Sequence, residues 1–508
     1  MKKNIVVIML LLIISQSSCK KFLEVESLHK ISGNVFWKQK SDAESFTMDL
    51  YAKLRDKYTS TSFMQASGDL RSGFIKTASS STEYYRRSVY DLLARNDLKA
   101  VFNTRQYSAP NTDIAGGMNL QSLTLWADFY KVIQGANMLI DQVDKGIPGV
   151  SDNDSKKYKA EGAFLRCLSY FILVRLYGDV VYYTEPYVKD PMPRENQVAV
   201  INKCIADLMA HKDNLPLDYP DPAFRAVRAT KGAALDLLMN MNMWNAGFDK
   251  ENNGKYYRQT ADLGKALIDL NVYKLIPVEN FREVTRGRSQ EGIFELFQSI
   301  NYDGPANSLA FFGEMMLKSP NKGPAALDNS SSHAYYKASY LNKLYSGGTD
   351  KRKDLWFNPV TMLAQNGTFE LLKYVGEINV STGLPEWSLI LFRYSEALLL
   401  RAEALAELGE NEEAIAMLNM VRQKAGAELY SGSGGQVLKD AIFIERGKEL
   451  MGEGHLYFDL IRTGRITSSQ WTDNPLTQDQ FDRGGWTWPI DVNATLTNPF
   501  MTLNSYWQ

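Results

Sequence analysis

The 508-residue chain has only three cysteines and four histidines. Cys19, Cys167 and Cys204 are too few and too scattered for a disulfide framework. With no histidines at ligand spacing they make no zinc site. There is no net basicity, the formal charge being −1, so the chain lacks the cationic excess that neutralises nucleic-acid phosphates. After Ile14 there is no apolar run long enough to cross a bilayer, and the run Ile5–Ile14 is itself too short. The chain contains no Gly-x-Ser-x-Gly elbow, His-Glu-x-x-His pair or phosphate-binding loop. These absences lead to an expectation of no metal, no cofactor and no enzymatic activity. Paired carboxylates for glycosidic cleavage are not excluded, because they need only meet in space.

What is present is apolar and aromatic. Hydrophobic residues make up 44% and aromatics 12%, with 27 Tyr and 9 Trp. Such rings suit surfaces that are apolar at one end and wet at the other. The opening MKKNIVVIMLLLIISQSSC has Lys2 and Lys3, then the apolar run, then small residues before Cys19. This reads as a secretory leader over 1–18. Cys19 behind Ser17 and Ser18 resembles a lipoprotein cleavage site, with Gln16 where an apolar residue is usual. The expected mature chain begins at a lipidated Cys19, is tethered by its acyl chains and continues to 508. Cys167 and Cys204 sit among apolar neighbours on expected helices and are read as buried free thiols.

The strongest periodicity is helical. LTLWADFYKVIQGANMLIDQVDKG and KKYKAEGAFLRCLSYFILVRLYGDV carry apolar residues at helical spacing and meet Gly146 and Gly178, good helix-ending residues. Helical segments follow over 197–214, 228–246 and 256–271, and again over 388–426 and 436–464. AEALAELGENEEAIAMLNMVRQ resembles a tetratricopeptide helix-turn-helix unit. The pairs 124–145 with 156–177 and 197–214 with 228–246 are looser versions. Such pairs must stack to bury their faces. From about 271 to 385 the chain turns to Gly, Asn, Ser and aromatics, with β-leaning runs GIFELFQ and TFELLKYVG. The expected fold is mostly α. It is a tetratricopeptide-like helical-repeat scaffold, about 124–270 and 388–465, with a long irregular, loop-rich insertion over about 271–385.

Several stretches, in order, resemble the SusD/RagB family of outer-membrane lipoproteins of the Bacteroidetes. They include CKKFLEVES, NVFWKQKSDAESFTMDLYAKL with Phe36, Trp37 and Ala43, and WADFYKVIQGANMLIDQV. AEGAFLRCLSYFILVRLYGDVVYYTEP, RATKGAALDLLMNMNMW, FRYSEALLLRAEALAELG, ERGKELMGEGHLYFDLIRTGR and the closing WPIDVNATLTNPFMTLNSYWQ continue the match. The resemblance implies one SusD-like domain over 19–508, lipid-anchored to the outer membrane and facing the exterior. It implies a surface protein that captures oligosaccharides and hands them to a SusC-like TonB-dependent porin. A RagB-like peptide-binding role in the same kind of importer is the alternative. A helical-repeat envelope scaffold and a surface hydrolase are further readings, and the long aromatic insertion speaks against a bare scaffold.

Ligand would meet aromatic faces with amide and charged rims. Two segments offer that mixture. The first, around SGDLRSGFIKTASSSTEYYRRSVYDL, holds Asp69, Arg71, Tyr84, Tyr85 and Arg86. The second, in the insertion, holds Asn301, Tyr302, Phe311, Phe312, Tyr335, Tyr336 and Trp356. Arg71, Tyr84, Tyr85, Asn301, Tyr302 and Trp356 are the candidate binders. Trp126 and Trp244 are expected in the core. GEGHLYFDLIRTG crowds Glu453, His455, Asp459 and Arg462 together, but each has a structural use on a helix. Glu449 with Glu453, and His455 with Asp459, fall four residues apart. Asp459 with Arg462 makes a favourable i,i+3 pair.

Overall fold

In the computed structural model, which describes residues 36–59, 67–77, 84–103, 123–298, 334–364, 369–377 and 388–508, helices dominate. The first half contributes α1 (Lys40–Thr59), α2 (Tyr84–Ala94), α3 (Leu98–Asn103), α4 (Ala127–Lys145), α5 (Asp152–Tyr177), α6 (Gln197–His211), α7 (Lys231–Phe248) and α8 (Asn253–Asp269). The second half contributes α9 (Arg282–Thr285), α10 (Ala338–Tyr345), α11 (Lys351–Trp356), α12 (Tyr394–Glu407), α13 (Asn411–Lys424) and α14 (Gln436–Glu449). It closes with α15 (Leu456–Arg462), α16 (Gln478–Asp482) and α17 (Val492–Thr497). Four short strands complete the order among the described residues: β1 (Ile75–Thr77), β2 (Gly292–Leu296), β3 (Ala334–Tyr336) and β4 (Leu389–Arg393).

Capping side chains set the helix starts. Ser151 Oγ accepts the Asp154 N–H, Asn196 the N–H groups of Val198 and Ala199, and Thr230 that of Ala233. The scaffold is a chain of packed helix pairs. α1 lies on α4, α4 runs along α5, and α5 along α6; α7 runs along α8, α8 packs on α12, and α12 on α13 and α14. α5 is buried on nearly every face from Tyr158 to Tyr177, as befits a helix hydrophobic all round. Small residues set the spacing. A Cβ on Gly135 would sit 2.4 Å from Leu50 Cδ2 across α1–α4, and one on Gly264 would sit 2.8 Å from Arg401 Cδ across α8–α12. Trp126 and Trp244 are buried, as expected. Cys167 and Cys204 are buried and free, with Cys167 Sγ 3.4 Å from the Cys204 carbonyl oxygen.

The tetratricopeptide-like unit is α12–α13, turned at Gly409 with φ 80°. Elsewhere the pairing departs from the sequence reading. α6 and α7 do pack, with Trp244 Nε1 donating to Gln197 and Asn245 to Asn202, but α7 lies more extensively on α8 and α6 on α5. The helix expected from 388 begins only at Tyr394, because Leu389–Arg393 is a strand buried on both faces against β2. The helix expected through 436–464 is cut after Glu449. Gly452 and Gly454, both at φ 80°, turn the chain there, so Glu449 and Glu453 are not helical neighbours. TFELLKYVG is not a strand: Leu371 makes a single bridge to Phe357, and a 3-10 turn follows over Leu372–Glu377.

Candidate ligand-binding face

Two small antiparallel sheets hold the ends of the aromatic-rich segments. In β1–β3, Thr77 pairs with Ala334; in β2–β4, Leu296 pairs with Leu389. The chain therefore enters residues 299–333 two positions beyond β2 and leaves them at β3. Residues 78–83 start where 299–333 ends, and residues 378–387 lead to β4 beside the end of β2. Beneath β1–β3 lies an aromatic bed. Phe74 stacks on Tyr340 with centroids 4.0 Å apart, Tyr336 meets Phe369, and Tyr345 meets Phe357.

The GEGH turn ties these anchors together. Arg393, the last residue of β4, donates from Nε to Glu453 Oε2 at 2.8 Å and from Nη2 to Glu453 Oε1 at 2.9 Å. Its Nη1 reaches Glu291 and Glu449, each at 2.7 Å. Lys373 Nζ donates to Glu453 Oε1 at 2.6 Å and to the Glu449 and Met451 carbonyls at 3.0 Å. From the other side Asp69, next to β1, accepts the Gly454 N–H at 2.9 Å. Burial pushes the Glu453 carboxyl up, but the Arg393 and Lys373 charges outweigh it and hold it down at about 2. Burial raises Asp69 to about 7, the Gly454 N–H offsetting only part. His455 is buried, and burial, aided by the nearby Arg446 charge, lowers it to about 3. Asp459 is clamped by Arg446 at 2.9 Å and Arg462 at 2.8 Å. The GEGHLYFDLIRTG stretch is thus part of an interior ion network.

The structure corrects two candidate binders. Arg71 is 0% exposed; its guanidinium donates to the carbonyls of Gly485, at 2.9 Å, and Trp486, at 2.7 Å, and lies on the Tyr457 ring. Trp356 is 2% exposed and packs on Phe281, with Lys373 Nζ 4.3 Å from its ring. Both hold the scaffold, because each closes a gap between segments far apart in sequence, and neither reaches a surface ligand. Tyr335 and Tyr336 are likewise buried in β3. Tyr84 and Tyr85 open helix α2. Cys19, Asn301, Tyr302, Phe311 and Phe312 lie outside the described residues.

Among the described residues no cluster of His, Cys, Asp or Glu could hold a metal ion, and no helix is long and apolar enough to cross a membrane. Two surface clefts stand out. The larger, about 360 Å³, lies between Trp126, Tyr130 and Tyr183 and the C-terminal Asn493–Met501. Its polar groups are largely spent: Tyr130 donates to the Val181 carbonyl, Asn493 to Asp491 and Asn498 to the Met192 carbonyl. The second, about 210 Å³, lies between α1, the 222–227 turn and the end of β2, against Arg288, Glu295 and Phe297. Sequence reading missed these three. The available signal was a carboxylate set inside the apolar run GIFELFQ.

The sequence model of the SusD family matches residues 306–507, and that of a family described as starch-binding, associating with outer membrane, matches residues 21–241. A crystal structure of a SusD homolog from Bacteroides thetaiotaomicron is 34% identical, with a TM-score of 0.81, over 93% of this chain and 100% of that one. SusD-like protein P38 from Formosa agariphila is 26% identical over 99% of each chain. A laminarin-binding SusD-like protein has the same fold at a TM-score of 0.67 and 21% identity, over 92% of this chain and 99% of that one.

Proposed function

The chain belongs to the SusD family, and we propose that it is a cell-surface glycan-capture protein that binds oligosaccharides and passes them to a SusC-like TonB-dependent porin. Lipid on Cys19 tethers it to the outer membrane, facing the exterior. Binding needs no chemistry: stacking and hydrogen bonds concentrate the polymer weakly enough to release it, and the protein turns nothing over. The observation that carries this reading is the pair of small sheets, β1–β3 and β2–β4, that fix the described ends of the aromatic and polar segments on the helical scaffold. Recognition residues are expected in segments positioned by such a scaffold. The starch-binding description of the matching family and the laminarin-binding relative support a glycan as ligand.

A binding screen of the purified protein against plant, host and microbial glycans and a peptide pool tests it. One glycan class should bind, with no product released. Peptide binding with silence on every glycan would replace the glycan reading with the peptide one. Alanine at Tyr84 or Tyr85 should weaken glycan binding without unfolding the protein.

A further inference from the structure

We propose that the cleft between α1, the 222–227 turn and the end of β2 is a subsite for one sugar ring presenting adjacent hydroxyls. The proposal rests on the glycan-capture reading and adds a place and a chemistry to it. The walls are apolar, with Met48, Tyr51 and Ala52 from one face of α1 and Phe224 and Phe297 opposite. Three charged side chains break that lining: Arg55 from α1, and Glu295 and Arg288 opposite. Glu295 is 1% exposed; its Oε1 accepts the Arg288 backbone N–H at 2.7 Å and the Ser388 hydroxyl lies beside the carboxyl, while its Oε2 makes no hydrogen bond among the described residues. The Arg288 guanidinium lies 3.6 Å from the Phe297 ring centroid, and its buried Nε has no acceptor among the described residues.

A buried donor or acceptor left without a partner costs about 1–3 kcal/mol. Here an acceptor and a donor are left together in one apolar-walled cleft. An ammonium ligand would satisfy only the carboxylate, and a carboxylate ligand would meet the Arg55 and Arg288 guanidiniums but set its charge against Glu295 and leave Oε2 without a donor. A hydroxyl both donates and accepts, so neighbouring hydroxyls serve Glu295 Oε2 and Arg288 Nε at once. The C–H face of the ring then lies on the aromatic wall.

The backbone around these groups is held in unfavourable forms. Ala226 and Arg288, neither of them glycine, both have φ 57°. Glu295 N–H donates to the Ala226 carbonyl at 2.7 Å, so one strained residue holds the backbone of Glu295 and the other, Arg288, its carboxylate. β2 is also irregular on either side of Phe294, and bulges of this kind re-aim side chains beside sites. Strain of this order persists where the surrounding structure over-determines it, and it clusters at ligand clamps.

The test uses the full chain, titrated with methyl hexopyranosides and with the oligosaccharide found in the glycan screen. Ligand-observed NMR reads the first and calorimetry the second. Wild type should bind the monosaccharide, and Glu295→Ala and Arg288→Met should each weaken it at least tenfold. Ala52→Phe, which fills the cleft without touching either polar group, should do the same with an unchanged far-UV spectrum. It decides the matter if the first two variants misfold. Oligosaccharide binding by wild type with no response to Ala52→Phe would overturn the subsite and leave the capture reading standing. No glycan binding by wild type would remove both.

Discussion

Arg393 grips Glu453 with two parallel hydrogen bonds, Nε to Oε2 at 2.8 Å and Nη2 to Oε1 at 2.9 Å, both groups buried. The contact joins the end of β4 to the turn that Asp69 holds from the β1 side. Ion pairs this deep add little against an apolar replacement, but removing one partner strands the other charges. Glu453→Ala leaves Arg393 and Lys373 short of a carboxylate. It should cost roughly 3–5 kcal/mol in urea unfolding; a loss below about 1 kcal/mol would show that the turn is held by other contacts.

Gly68 faces Gly454 with no room for a side chain. A Cβ there would lie 2.0 Å from the Gly454 carbonyl oxygen, a backbone atom that cannot swing aside. Gly68→Ala should lower thermal stability sharply. Gly254, near the start of α8, has nothing within 4 Å of its would-be Cβ. Alanine there should be neutral or stabilise by up to about 1 kcal/mol. Equal melting temperatures for the two variants would contradict the close approach.

Trp356→Ala should act on stability rather than on the ligand surface. Emptying a buried indole costs roughly 3–5 kcal/mol, and it removes the ring beneath Lys373 Nζ. Binding measured well below the lowered melting temperature should stay near wild type. A binding loss without a stability loss would return Trp356 to the ligand face.

Glu295 gives a pH signature. Burial raises its carboxyl to about 7, the Arg288 N–H opposing, while in the unfolded chain it titrates near 4.5. A raised carboxyl favours the folded state fully below about pH 4.5, and that advantage is lost as pH rises through about 7. Wild-type stability, relative to Glu295→Gln, should therefore fall by on the order of 3 kcal/mol across this window and then level off. Taking the difference between the two proteins removes the opposing trend from His455, which is buried neutral. A pH-independent difference would mean that Glu295 stays charged in the fold.

Cys167 and Cys204 should not react with a thiol reagent in the native protein and should both react once it unfolds, since both are buried and free. Rapid native labelling would show that α5 and α6 separate in solution.

Much of this was legible in the order of residues, and the failures have physical causes. Helical period and capping residues are local, so α4, α5, α7, α8 and the α12–α13 unit were readable from them. The burial of Trp126 and Trp244 followed from their helical setting. LILFR was misread because an apolar run beside a helix carries no period of its own; its partner β2 lies about a hundred positions earlier. Arg71 and Trp356 looked like surface readers because charge and aromaticity in irregular sequence mark both ligand loops and long-range clamps. Only the positions of the Gly485 and Trp486 carbonyls, more than four hundred residues on, and of Lys373 decide between them. The same holds for the orphaned pair at Arg288 and Glu295. Residue type announces a donor and an acceptor, but whether they find partners depends on what the folded chain brings within 3 Å. By itself, then, the sequence determined most of the long helices, the family and the apolar stock of the core, because these depend on neighbours along the chain. The tertiary structure decided which charges are interior struts and which buried polar atoms are left without a partner among the described residues, because burial and pairing are properties of neighbours in space.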